Sequence, residues 1–257
     1  MIVLESFKQT ATSWELRRIR WSLRADSAER RFYAQIIPSG PGTILDVGAN
    51  HGSKTEIFRK LADRVVAVEP DPSSAGLLRR RFKWRRSVVV CQCAVTDTPG
   101  SKAFYQFEPG SAFNTADSTW AKSMMDGSNH MGIKLGEPKE IRVPARTIAD
   151  LEMTFRPIKY LKIDVEGHEE KALSTLSQAI PLISLEFNFP QMYGALEACV
   201  RNINSLGDYR FNAAISEPPE KFEFSWLTGE QIIEAIKSSG WGYAELYAVQ
   251  LRPARNQ

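Results

Sequence analysis

Apolar positions along the middle of the chain fall into short, nearly unbroken runs separated by segments of helix length. The runs predict strands near 43–48, at 64–69 (RVVAVE), at 87–95 (SVVVCQCAV), in KYLKIDVEG and in PLISLEFNF. Between them, three-to-four spacing predicts helices near 54–63 and 73–84, and in HEEKALSTLSQ and GALEACVRNINSLG. The tail adds a strand in YRFNAAIS, a helix in GEQIIEAIKSSG and a last strand in AELYAVQL. Continuous apolar strands alternating with helices imply a parallel sheet covered on both faces, a doubly wound α/β fold.

Two stretches depart from this rhythm. The first 35 or so residues space Trp, Leu, Ile and Phe among arginines, which predicts one or two amphipathic helices before the punctuation PSGPG. From about 97 to 140 the pattern dissolves into Gly, Ser, Asp, Asn and Met with isolated aromatics. So long a stretch is expected to be a functional loop, here a lid. With no repeat and no Ser- or Gly-rich linker, the expected organisation is a helical extension over 1–38 and one domain over 39–257.

Composition changes this picture little. At 257 residues, 43% hydrophobic and 25% charged, the chain has material for a large core. No apolar run approaches the roughly 20 residues of a membrane span, and MIVLESFKQT lacks a basic start with a long apolar segment, so a cytoplasmic protein is expected. Cys91, Cys93 and Cys199 match neither a disulfide framework nor a zinc spacing and read as buried thiols. A net charge of +3 does not demand a nucleic-acid partner.

The chemistry begins where the first strand ends. ILDVGANHGS stops at Asp46 and breaks into a loop framed by Gly48 and Gly52, with Asn50 between them. Glycine lets a ligand approach the backbone, and Asn tolerates a left-handed conformation. SKTE at 53–56 reads as a capping box that starts the next helix, whose amides would seat an anionic group. Glu69 closes the second strand, where an acid accepts from ribose hydroxyls, so an adenosine-bearing ligand is implied. G-A-N-H-G is not the G-x-G-x-x-G of dinucleotide sites and no Tyr-x-x-x-Lys is present, which argues against a nicotinamide oxidoreductase.

In this order and spacing, ILDVGANHGSKTEIF, VVAVEPDPSS and KYLKIDVEGHEEKAL resemble the S-adenosylmethionine-dependent methyltransferases of the FkbM type. The resemblance runs from about Pro41 to Glu186 and includes VPARTIADL. It implies a Rossmann-like class I methyltransferase sheet of seven strands with the last antiparallel, and S-adenosyl-L-methionine as cofactor. It further implies that Asp46, Gly48, Asn50 and Gly52 surround the methionine end of the cofactor, that Glu69 holds its ribose, and that Asp97 lies near adenine.

Methyl transfer needs an attacking atom held in line and a neighbour that accepts its proton. Asp164, Glu166 and His168 fall at the end of the fourth strand and are the catalytic candidates; the resemblance places Asp164 near the cofactor's amino group and the transferred methyl. Glu186 and Asn188 could join Asp164 around a divalent cation, as in catechol-type methyltransferases, but Glu replaces the expected Asp and no metal is assigned. NFPQMY only superficially matches an amino-directed adenine methyltransferase motif. Ser111, Asn114, Trp120 and His130 of the irregular stretch suit a hydroxylated ligand or a solvated loop. The basic run LLRRRFKWRR and the arginines of LRRIRWSL are either solvated helix faces or a phosphate-binding patch. The activity that the resemblance implies is O-methylation of a glycan, natural product or other small molecule, with RNA methylation or a non-catalytic binding module as alternatives. The N-terminal segment would cap the site or contact a second copy in a homodimer.

Overall fold

A computed structural model describes residues 28–129 and 131–251. After a helix over 28–36 (α1) come β1 (Thr43–Val47), α2 (Ser53–Phe58), β2 (Arg64–Val68), α3 (Pro72–Arg81) and β3 (Val88–Cys91). Next are β4 (Ala94–Val95), β5 (Gly100–Gln106), α4 (Ser118–Asp126), β6 (Lys139–Arg146), α5 (Ile148–Phe155) and β7 (Ile158–Ile163). The chain ends with α6 (Glu169–Leu173), β8 (Leu182–Asn188), α7 (Tyr193–Leu206), β9 (Tyr209–Ala214), α8 (Gly229–Ser239) and β10 (Tyr243–Gln250).

Seven strands form one sheet in the order β3-β2-β1-β7-β8-β10-β9. Neighbours from β3 to β8 pair in parallel, and β10 runs antiparallel to both β8 and β9. This is the doubly wound sheet with a reversed final strand that the sequence implied. The central strand β1 is buried along its whole length, which is why its residues read as a run rather than an alternation. Its side chains divide between two cores. Ile44 joins Tyr33, Phe58, Tyr160 and Tyr247 beneath α1 and α2, and Leu45 and Val47 join the larger core under α5 to α8.

Two expectations are corrected. SVVVCQCAV is not one strand: β3 ends where Cys91 pairs with Val68, the last residue of β2, so its ladder has no further partner. The chain then turns, and Ala94 pairs with Ala145 in a second, three-stranded sheet of order β4-β6-β5. The stretch 97–140 likewise holds β5, α4 and the start of β6. Its pattern is weak because this small sheet buries few side chains, among them Phe104 and Val143, and α4 adds Trp120 and Met124.

Helix ends also differ. The first helix after β1 stops at Phe58, and the amides of Lys60 and Leu61 bond three residues back to Ile57 and Phe58, tightening the turn before β2. SKTE forms no capping box: Gly52, at φ 79°, is the N-cap with no side-chain bond, and the Glu56 carboxylate turns forward to Arg59. No described helix is long and apolar enough to cross a membrane. The cysteines are free, and burial raises the Cys93 thiol to about 12.

Candidate active site

The parallel strands end on one side of the sheet, and there the loops enclose a cavity of about 600 Å³. Its floor is set by backbone contacts. The amides of Gly48 and Ala49 both donate to the Val68 carbonyl, at 3.0 and 3.1 Å, and the Asp164 amide donates to Val47 at 3.1 Å. The ends of β1, β2 and β7 are thereby locked edge to edge. Gly48 sits at φ 80° so close to the third of these strands that a Cβ would fall 1.6 Å from the Asp164 carbonyl oxygen.

Above this floor, Asn50 adopts φ 46° and its amide donates to Glu69 Oε2 at 2.8 Å; the Asp71 amide donates to Oε1 at 2.8 Å. Both Glu69 oxygens are thus aimed by the backbone, and the carboxylate lines the cavity. Burial pushes its pKa up to about 7, against the pull of the two amides. Asn50 lines the same wall, and its Oδ1 is buried without a partner among the described residues.

Not every residue singled out in the sequence reaches the cavity. Gly48, Asn50, Glu69, Asp164, Glu166 and His168 line it, and Asp46, Gly52 and Asp97 do not. Asp46 is fully buried behind the loop, where its Oδ2 accepts from the Thr55 hydroxyl at 2.5 Å and ties β1 to α2. Burial raises its pKa, opposed by Lys162. Gly52 is required by packing: a Cβ there would lie 2.7 Å from both Leu78 of α3 and Phe82 just after it. Asp97 is exposed and accepts from the hydroxyls of Thr96 and Thr98. His130 and the arginines at 17–24 lie outside the described residues.

At the end of β7, Asp164 Oδ2 accepts from Lys162 Nζ at 2.8 Å, and Lys162 is 3% exposed. Glu166 stands at φ 54°, and burial together with Asp164 and Glu169 raises its pKa well above the carboxylate range. Glu186 comes from the end of β8 and is raised well above that range by burial, Asp164 and Glu166; it accepts from the Tyr243 hydroxyl at 3.4 Å. Carboxylate oxygens of Asp164, Glu166 and Glu186 lie within 4.8 Å of one another. Asn188, the other residue considered for a cation, is buried away from the cavity.

Several wall residues had no signal in the local pattern. Glu29 of α1 bonds Lys54 of α2 at 2.5 Å, and Glu217 and Pro218 arrive from the loop after β9. Phe104 joins them from the irregular stretch, and of the residues singled out there Ser111 and Asn114 line the cavity while Trp120 does not. Asp71 fastens that stretch down: it caps α3 through the amides of Ser73 and Ser74, and its Oδ2 accepts from Gln106 Nε2 at 2.9 Å, Gly110 N at 3.1 Å and Asn114 Nδ2 at 2.7 Å. Burial opposes ionisation of Asp71, yet the bonds from Gln106, Gly110, Ser73 and Ser74 hold its pKa below the usual value.

Asp71→Ala should therefore cost roughly 2 kcal/mol, the upper end for a lost cap, and expose 107–117 to proteolysis. Because the folded pKa is lowered, this stabilisation is present above the ordinary Asp range and is lost as pH falls through the folded value. Limited proteolysis at neutral pH, compared with wild type, checks it; unchanged cleavage would mean that the segment is held by its own small sheet.

The basic run LLRRRFKWRR spans the end of α3 and the turn after it. Arg81 Nη1 bonds the His51 carbonyl at 2.8 Å, so one of its cations supports the loop after β1. Trp84 is 82% exposed beneath Lys83 Nζ.

A family model, the methyltransferase FkbM domain, matches residues 46–213. No curated protein matches the chain. Among solved structures, a TehB-like SAM-dependent methyltransferase from Corynebacterium glutamicum is 14% identical at a TM-score of 0.46, covering 92% of this chain and 97% of that one. A SAM-dependent O-methyltransferase from Thermotoga maritima is 8% identical at 0.43, covering 90% and 67%. A geranyl diphosphate methyltransferase in complex with SAM is 13% identical at 0.42, covering 93% and 90%.

Proposed function

The chain belongs to the FkbM methyltransferase family, and from that premise we propose that it is an S-adenosylmethionine-dependent O-methyltransferase acting on a hydroxyl of a glycan, natural product or other small molecule. The observation that supports this reading best is the Glu69 carboxylate at the end of β2, which lines the cavity with both oxygens fixed by amides, beside Asn50, whose buried Oδ1 has no partner among the described residues. Acceptor oxygens aimed at one place want hydroxyl or amino donors from a ligand. Ribose hydroxyls suit Glu69, and an ammonium group suits Asp164.

When bound, S-adenosylmethionine supplies a methyl group on a cationic sulfur. The chain's own residues then do three things. Gly48 and Asn50 let the loop come close, Glu69 fixes the ribose, and Asp164, held by Lys162, orients the methionine end. His168, buried at the start of α6, stands in the same cavity to take the acceptor's proton. Lys54 and Lys162, the lysines that line the cavity, are already paired, which disfavours a phosphate-bearing acceptor such as RNA. An uncharged hydroxylated molecule needs no such cation.

Titration calorimetry with S-adenosylhomocysteine tests the reading. Wild type should bind, and Glu69→Ala should weaken binding by roughly 1 to 3 kcal/mol, the range for losing hydrogen bonds to a charged group. Since Glu69 titrates at about 7 in the free protein and ribose donors favour the ionised form, wild-type affinity should fall as pH drops below about 7. The variant should lose that dependence. Absence of binding to folded wild type would remove the proposal.

A further inference from the structure

We infer that the basic run at the end of α3, with Trp84 near its centre, is a docking surface for an anionic lipid bilayer, separate from the cavity and independent of the methyl transfer proposed for it. Residues 79–86 read RRRFKWRR; Arg79, Arg80, Lys83, Arg85 and Arg86 are exposed, and no acid stands among them. Two side chains hold the run to the fold. Phe82 packs with Ala49 and Leu78, and Arg81 bonds the His51 carbonyl. The rest face outward. Trp84 is 82% exposed, more than any other large apolar side chain among the described residues, and Lys83 Nζ lies 4.8 Å from its ring centroid. Arg79, Lys83, Arg85 and Arg86 form no ion pair among the described residues. Their charge is therefore not spent inside the molecule.

The backbone keeps these cations together past the helix: the Arg85 amide donates to the Phe82 carbonyl at 2.8 Å, and the Val88 amide to the Arg85 carbonyl at 2.9 Å. One compact turn thus presents five cations and an indole. Lys and Arg clustered on an amphipathic helix are drawn to the negative surface potential of anionic lipids, and an indole suits the headgroup level, where its ring is half in apolar surroundings. A nucleic acid fits less well on two counts. A single strand is held by successive stacking rings along a groove, and this run offers one exposed ring. The position is also wrong for an acceptor. The turn leads into the amino end of β3, where the Ser87 carbonyl accepts from the Val65 amide at the start of β2, whereas Glu69 and the cavity lie at the carboxyl ends of these parallel strands. No residue of the run lines the cavity, so a chain bound here would not be presented to it. A bilayer needs only to hold the protein, and docking at this end leaves the cavity mouth free.

Co-sedimentation of the full-length chain with vesicles tests the surface. The probes are vesicles of phosphatidylcholine alone and vesicles with roughly one third phosphatidylglycerol, each at about 50 mM and about 500 mM salt. Wild type should pellet with the anionic vesicles at the lower salt, stay in solution with the neutral ones, and be released at the higher salt. Lys83→Gln combined with Arg86→Gln should weaken this binding at least roughly tenfold, and Trp84→Ala roughly tenfold, while Arg201→Gln on the exposed face of α7 should leave it unchanged. Thermal melts check that each variant is folded. Lipid brominated on its acyl chains should quench the fluorescence of wild type, and Trp84→Phe should lose most of that quenching. No binding of folded wild type to anionic vesicles, or binding indifferent to the substitutions in the run, overturns the inference. Binding of poly(U) without binding of vesicles also overturns it and assigns the run to a nucleic acid.

Discussion

Gly48→Ala is expected to lose about 2 to 5 kcal/mol of stability and, with it, the cavity. The new Cβ would sit 1.6 Å from the Asp164 carbonyl oxygen and 2.7 Å from its carbonyl carbon. Both are backbone atoms, so no side chain can swing away, and β1 and β7 must part at the point where the Asp164 amide bonds Val47. A left-handed conformation adds roughly 1 to 2 kcal/mol for alanine, and overpacking typically 1 to 3. For a chain of this size that corresponds to a fall in Tm of roughly 4 to 20 °C. Gly76→Ala is the control. It lies within α3 with nothing within 4 Å of its Cβ position, so the same change there should be neutral or stabilising by up to about 1 kcal/mol. Thermal unfolding of the two variants checks both; equal Tm values would mean that the strand ends are not packed as described.

Asp164→Asn is expected to reduce methyl transfer roughly 10²- to 10⁴-fold at saturating donor, the scale on which a positioned charged group acts on a transfer step. Asn keeps an oxygen for Lys162 Nζ, so this variant removes the charge while leaving a partner for a lysine that is 3% exposed. That distinction matters because stripping one member from a buried pair destabilises by roughly 3 to 5 kcal/mol and would confuse folding with catalysis. The readout is release of S-adenosylhomocysteine with an acceptor found by screening hydroxylated compounds. A binding module would lose affinity alone; wild-type turnover in the variant would remove Asp164 from the chemistry.

Much of the main sheet was legible in the chain. β1, β2, β7 and β8 are buried on both faces, so each appears as an apolar run, and the reversed β10 followed from the family resemblance. The second sheet was not legible. A strand such as β5, with Phe104 as its one buried residue, leaves a period too weak to read. Local rules also misjudged SKTE, where Gly52 in a left-handed conformation starts the helix without help from Ser53.

For the site, the motifs fall on loops that line the cavity, but not every side chain they name faces it. Asp46 and Gly52 lie within the first motif, and both serve packing: one ties β1 to Thr55, the other admits Leu78 and Phe82. Glu186 was noticed, but its company with Glu166 depended on the positive φ of Glu166 and on strand register.

By itself the sequence determined the doubly wound sheet, the loop after Val47, the acid at the end of β2 and the acidic run after β7, because propensity, periodicity and turn chemistry act between residues a few positions apart. Only the tertiary structure decided which of those groups line the cavity. It alone brought Glu29, Phe104, Asn114 and Glu217 to the walls, since these come from segments far apart in the chain, joined by strand pairing and buried contacts that leave no local trace.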